Sequence, residues 1–152
     1  MEKIGYQAEK AFQDYLDNNN ILYWYIQQDV KTFSSKLKKL DVRRPDFFIL
    51  LPNLGFILVD VEHNIPLKKY GKFCICDNKL RKYNNLQKYF NMQVWFAFSN
   101  EEIHYTTWYF IPVSKVLKYR STYLVKEKEY VSMPLSEFVQ ISNRDNFMKV
   151  FI

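Results

Sequence analysis

Three carboxylates stand where two apolar runs begin and end. Asp46 opens the run Phe-Phe-Ile-Leu-Leu behind Arg43, Arg44 and Pro45, and Asp60 and Glu62 close the run Phe-Ile-Leu-Val-Asp-Val-Glu. The runs, residues 46–51 and 56–62, flank Pro52, Asn53 and Gly55, which reads as two strands joined by a turn. Asp60 and Glu62 are two residues apart, so on a strand both side chains leave one face. Acids side by side beyond an apolar strand repel one another and are costly to desolvate. Water, a cation or a basic side chain must compensate them. Three carboxylates converging there make an oxygen cage for a hard divalent ion such as Mg²⁺. The competing reading assigns no chemistry: Asp46 caps a turn, and Asp60 and Glu62 sit at a solvated strand end.

The register of the hairpin decides whether the acids can meet. Directly opposed residues of an antiparallel pair project to the same face. A plain four-residue turn over residues 52–55 pairs Leu51 with Phe56, hence Asp46 with Val61, and sets Asp46 on the face away from Asp60. A shared site therefore predicts an odd-length loop, a bulge or a bend at Asp46.

The elements that must position these acids belong to a chain of 152 residues, one domain with a single well-buried core. With 48% hydrophobic residues, 13 Phe and 12 Tyr, it is globular and not disordered. Cys74 and Cys76 are too close for an ordinary disulfide and make no zinc motif, which suggests a reducing interior. The start Met-Glu-Lys-Ile-Gly lacks the apolar core of a signal peptide, and no apolar run reaches membrane-spanning length. The expectation is a cytoplasmic protein without a membrane partner.

The formal charge of +6 suits a polyanionic partner such as nucleic acid. The excess is local. Lys38, Lys39, Arg43 and Arg44 precede the acids, and Lys69, Arg81 and Lys82 follow them. These seven are the candidate backbone grips, against the alternative of a lysine-rich surface that serves solubility.

Apolar spacing over residues 2–18 predicts a helix with Ile4, Ala8, Ala11, Phe12, Tyr15 and Leu16 on one face. Residues 21–27 read as a strand, and residues 29–42 as a polar loop with a helical turn starting at Ser34 or Ser35. After the hairpin, residues 65–75 read as an irregular passage. A second helix is expected over 77–90, with Asp77 as N-cap and Leu80, Tyr83, Leu86 and Phe90 as its stripe. Residues 93–99 and 103–113 read as aromatic strands, 114–119 as a short helix, 120–132 as ambiguous and 134–141 as a C-terminal helix. Tyr25, Trp95 and Trp108 are candidates for stacking on bases, against the alternative of core aromatics. His63 points away from the acids if its strand continues.

Arg-Arg-Pro-Asp, then strand, turn and strand ending Asp-Val-Glu, resembles the core of the PD-(D/E)XK nuclease superfamily. The element order over about residues 1–113 resembles it too, with 114–152 as an extension. The resemblance implies a restriction-endonuclease-like αβββαβ core with a mixed sheet between helices. It implies a metal-dependent nuclease using Mg²⁺ or Mn²⁺, acting on DNA more than RNA, and leaves a homodimer open. Asp46 and Asp60 match the metal-binding acids. Gly5-Tyr-Gln-Ala-Glu9 resembles the first-helix pattern that contributes a Glu, against the reading of Glu9 as an ordinary helix acid. Glu62 stands where the family has lysine, so either Glu62 acts as ligand or base, or a lysine comes from elsewhere. Lys79 is the candidate, because Lys79-Leu-Arg-Lys-Tyr83 resembles the Gln-x-x-x-Tyr signature of RecB-like members, although a solvated first-turn lysine is the simpler reading. The alternative function is a catalytically inactive nucleic-acid-binding module on the same fold.

Overall fold

The computed structural model of the protein describes residues 4–26, 33–67, 71–119, 122–125 and 127–151. Helix α1, Ile4–Asn18, buries Ala8, Phe12, Tyr15 and Leu16 of the stripe its spacing predicts, with Ala11 partly buried and Ile4, in its first turn, exposed. The chain then passes through β1 (Leu22–Tyr25), the single turn α2 (Ser35–Lys38), β2 (Phe47–Leu51) and β3 (Gly55–His63). Ser34 caps α2, its hydroxyl accepting from the Leu37 N–H at 3.2 Å. Strand β4 (Lys72–Cys76) leads into α3 (Asp77–Phe90), followed by β5 (Val94–Ser99), β6 (Thr107–Pro112) and α4 (Val113–Val116). Strands β7 (Thr122–Val125), β8 (Lys128–Pro134) and β9 (Val139–Ser142) precede a 3₁₀ turn, Phe147–Phe151.

A six-stranded mixed sheet runs β1-β2-β3-β5-β6-β9, parallel only between β3 and β5. That parallel step needs a crossover, and α3 supplies it. Strand β5 is buried along its whole length, as a central strand covered on both faces must be. One face packs Phe47, Ile49, Val59, Ala97, Trp108 and Phe110 against α1 and the C-terminal turn. The other packs Leu58, Phe96, Phe98 and Ile111 against Leu80, Tyr83 and Leu86 of α3. Beyond α3 a smaller sheet, β4-β8-β7, adds Phe73, Ile75, Val131 and Met133 to the same cluster.

Three local expectations are corrected. Residues 72–76 are a strand and not an irregular passage: their alternating burial is paired along β8, far off in sequence. Residues 134–141 do not form a helix. Pro134 and the following Leu-Ser-Glu make a single 3₁₀ turn, after which β9 pairs with β6 and closes the main sheet. Asp77 is not the N-cap but lies in the first turn of α3, where a carboxylate meets the helix dipole; the N-cap is Cys76, without a side-chain bond.

The β2–β3 hairpin has the irregularity a shared acid site requires, and has it twice. Leu51 pairs with Gly55, so the loop is the odd-numbered Pro52-Asn53-Leu54. Leu54 donates its N–H to the Leu51 carbonyl at 3.0 Å, and Asn53 has φ +67°, the pattern of a type II turn with Pro second and Asn third. Continued one step past Phe47↔Val59, this register sets Asp46 against Asp60. There the chain also bends. Asp46 donates its N–H to Val59 of β3 (3.1 Å) while its carbonyl accepts from Ile26 beside β1 (2.8 Å). In a regular antiparallel strand both groups of one residue face the same neighbour.

Gly55 enters β3 at φ +112°, and a Cβ there would meet no atom within 4 Å. Gly55→Ala is therefore expected to destabilise the fold by about 1–3 kcal/mol through backbone strain alone. Denaturant unfolding measures it, and a cost near zero would mean that the loop relaxes to another turn.

Candidate active site

The acids gather where β2 begins and β3 runs past it. Asp46 and Asp60 are both buried, 9% and 4% exposed. Asp46 uses Oδ2 to accept the Val61 N–H at 2.8 Å, a backbone donor that β3 presents beyond the last β2 pair. On the α1 side stands Glu9, half-buried, whose Oε1 accepts from the Tyr25 hydroxyl at 3.2 Å. On the α3 side stand Asp60 and Glu62, which leave β3 on one face.

Helix α3 meets that pair with two donors. Lys79 makes an ion pair with Glu62 and brings Nζ to 3.9 Å from Asp60 Oδ2. Tyr83 donates its hydroxyl to Asp60 Oδ1 at 2.5 Å. The match is one of spacing. Residues i and i+4 on a helix are about 6 Å apart along its axis, and i and i+2 on a strand about 6.6 Å. A helix packed over β3 can thus serve both acids at once. Tyr83 is also within 3.3 Å of the Arg44 carbonyl, which ties the Arg43–Pro45 segment to the same spot. The sequence motif pointed to Lys79 and Tyr83 together; nothing in it marked Tyr25 as a partner of Glu9. Asp60 Oδ2 is buried and has no hydrogen-bond partner among the described residues.

Crowded carboxylates in a dry place hold protons. Burial, then the charges of Asp60 and Glu9, push the Asp46 carboxyl up to about 10. Burial and Asp60 likewise raise Glu62 well above the usual range, with Lys79 pulling the other way. Burial opposes the charge on Lys79, but Asp60 and Glu62 outweigh it and raise its pKa. Arg43 follows the same balance, with Tyr83, Asp60 and Glu62 outweighing burial, so its guanidinium belongs to the cluster as well. Burial and the charges of Asp60 and Asp46 keep the Tyr83 hydroxyl well above its ordinary value.

The sign of the resulting pH dependence is fixed. Asp46 keeps its proton in the folded metal-free chain up to about pH 10, and in the unfolded chain only below about pH 4. Its contribution is thus complete below about pH 4 and is lost as pH rises toward 10, at about 1.4 kcal/mol per pH unit for one retained proton. Glu62 acts in the same direction. Urea unfolding in a chelator should accordingly show lower stability at pH 8 than at pH 5, with a shallower difference in Asp46→Asn. An unchanged difference in that variant would place the proton elsewhere.

Among the described residues no three His, Cys, Asp or Glu side chains close around one point as a preformed metal site does. Glu9 lies with Asp46 and Glu62 with Asp60 and Lys79. The donor chemistry nevertheless fits a hard divalent ion: the acids offer only oxygen, and Asp60 Oδ2 is buried without a donor.

The other candidates divide. Lys38 and Lys39 are exposed at the end of α2, and Arg44 lies over the Phe33 ring at 5.0 Å. Arg81 makes an ion pair with Asp41, and Lys82 reaches the same carboxylate at 3.9 Å. Lys69 lies outside the described residues. His63 pairs with Glu101, away from the acids. Trp95 and Trp108 are core, 8% and 0% exposed.

A mixed six-stranded sheet flanked by helices is the restriction-endonuclease-like architecture expected from the sequence. Over 91% of its length the chain superposes on 93% of Hjc, a Holliday junction resolvase from Archaeoglobus fulgidus, at a TM-score of 0.57 and 11% identity. It is similar to D212, a nuclease from a fusselovirus, at a TM-score of 0.50 and 13% identity, covering 91% of this chain and 88% of that one. It is similar also to the bacterial homing endonuclease I-Ssp6803I, at 0.51 and 13%, covering 86% and 72%. No family model and no curated protein matches the sequence. Among the described residues no helix is long and apolar enough to cross a membrane.

Proposed function

We propose that this chain is a metal-dependent nuclease that hydrolyses phosphodiester bonds of nucleic acid, DNA ahead of RNA. One observation carries the reading: an odd-length loop and a bend bring Asp46 to Asp60, and α3 brings Lys79 against Glu62 and near Asp60. Three nucleases of the same fold support it. Asp46 and Asp60 would hold Mg²⁺ or Mn²⁺, with Glu9 as a further oxygen donor and Glu62 paired with Lys79. Such an ion supplies Lewis acidity toward a phosphate and acidifies a water molecule. Tyr83 orients the Asp60 carboxylate and Tyr25 orients Glu9. Lys79 and Arg43 offer positive charge where a phosphoryl group gathers negative charge. Lys38, Lys39 and Arg44 serve as grips on the backbone.

A second reading has an observation of its own. Lys79 already sits against Glu62 and near Asp60, as a fold that had replaced its metal by an internal cation would arrange it. That chain would bind nucleic acid without cutting it. Supercoiled, branched and single-stranded DNA and an RNA strand, each incubated with Mg²⁺, Mn²⁺ or a chelator, separate the two. Metal-dependent cutting is expected; binding without cutting under every metal condition would leave the silent module.

A further inference from the structure

The sheet face that carries Asp60 and Glu62 continues past α3 into uncovered aromatics. Trp24 pairs with Phe48, and Phe48 with Leu58, so the three side chains form one row across β1, β2 and β3. Asp60 is the next residue of β3 on that face. The Trp24 and Phe48 rings lie 5.6 Å apart, and Phe48 and Phe56 4.9 Å. Trp24 is 62% exposed and Phe56 53%, whereas the other two tryptophans are buried. Leu37 and Leu40 of the α2 segment pack into the cluster that holds Phe48, which brings exposed Lys36, Lys38 and Lys39 to the same side.

Resting on the nucleic-acid reading above, we propose that Trp24, backed by Phe48, is a stacking platform for unpaired bases of the strand that enters the acid site. An indole lying on a second ring is rigid and sequence-tolerant, and every base offers it a π-face. A paired duplex keeps its bases stacked on one another and gives the platform nothing, so the platform selects unpaired or splayed strands. The lysines favour a polyanion as occupant. A second copy of the chain would bring its own three lysines against them.

The test needs no metal. Wild-type protein in a chelator is titrated with a single-stranded oligothymidylate and with a blunt duplex, following tryptophan emission and, separately, a labelled strand. The single strand is expected to change the emission, because Trp24 is the one exposed indole. Trp24→Ala should weaken single-strand binding about tenfold while duplex binding stays, and Trp24→Phe should recover most of the loss. Equal weakening for both forms, or none for the single strand, overturns the platform. So does a wild type that is dimeric where Trp24→Ala is monomeric, which would make this face an interface between copies. Cleavage is scored apart: a protein that stacks single strands but never cuts keeps the platform and loses the nuclease.

Discussion

Asp60→Asn is expected to leave a folded protein that no longer cuts. Asp60 is 4% exposed, accepts from Tyr83 through one oxygen and leaves the other without a donor. The amide keeps the volume and can still present its carbonyl to Tyr83, so the melting temperature should stay within a few degrees of wild type. Removing a charge from the acid cluster also relieves its mutual repulsion, which favours the metal-free fold. On the metal-dependent reading, what the variant loses is an anionic ligand at the centre of the site. Transition-state stabilisation by a bound ion is worth several kcal/mol, and its loss means a rate lower by about a thousandfold or more. Nicking of supercoiled DNA with Mg²⁺, at matched circular dichroism, gives the answer. A rate within tenfold of wild type would remove Asp60 from the chemistry.

Lys79→Met is expected to cost about a hundredfold to a thousandfold in cutting rate, with substrate affinity changed much less. Methionine keeps most of the stem and drops only the charge that meets Glu62 and approaches Asp60. The resemblance leaves two routes, Glu62 as ligand or base and a lysine from elsewhere. The ion pair with Lys79 supports the second, in which α3 supplies the cation that the strand lacks. Glu62→Lys alone sets two ammonium groups together and should also be poorly active. Combined with Lys79→Met it returns the lysine to the strand, and cutting should recover to within about tenfold of wild type. Rescue cannot follow if Glu62 is itself an essential ligand or base, since the double variant then lacks both groups. Loss of affinity in every variant, with no change in rate, would leave Lys79 as a grip on substrate.

The sequence by itself determined the elements whose signal is local. The spacing of Ala8, Phe12, Tyr15 and Leu16 and of Leu80, Tyr83 and Leu86 marks helices with one buried face, while Ile4 and Phe90, expected to extend those stripes, stand exposed at the helix ends. The run from Val94 to Ser99 is apolar on both faces and so belongs to the middle of a sheet. The parity of Asp60 and Glu62, and the conflict it makes with a four-residue turn, were legible because strand period and pairing geometry are fixed by the backbone. Only the tertiary structure decided what depends on partners distant in the chain. Strand β4 has β8 as its partner, about sixty residues on. Pro-Leu-Ser-Glu, residues 134–137, reads as the start of a helix, but it stops after one 3₁₀ turn because pairing of β9 with β6 outweighs that weak preference. The meeting of Lys79 with Glu62, of Tyr83 with Asp60 and of Tyr25 with Glu9 depends on how α3 and α1 cross the sheet. Packing of whole apolar faces sets those crossings, and no short motif records them. Trp24 and Trp95 look alike in sequence, each within an aromatic strand; the place of the strand in the sheet, edge or centre, makes one a surface and the other core.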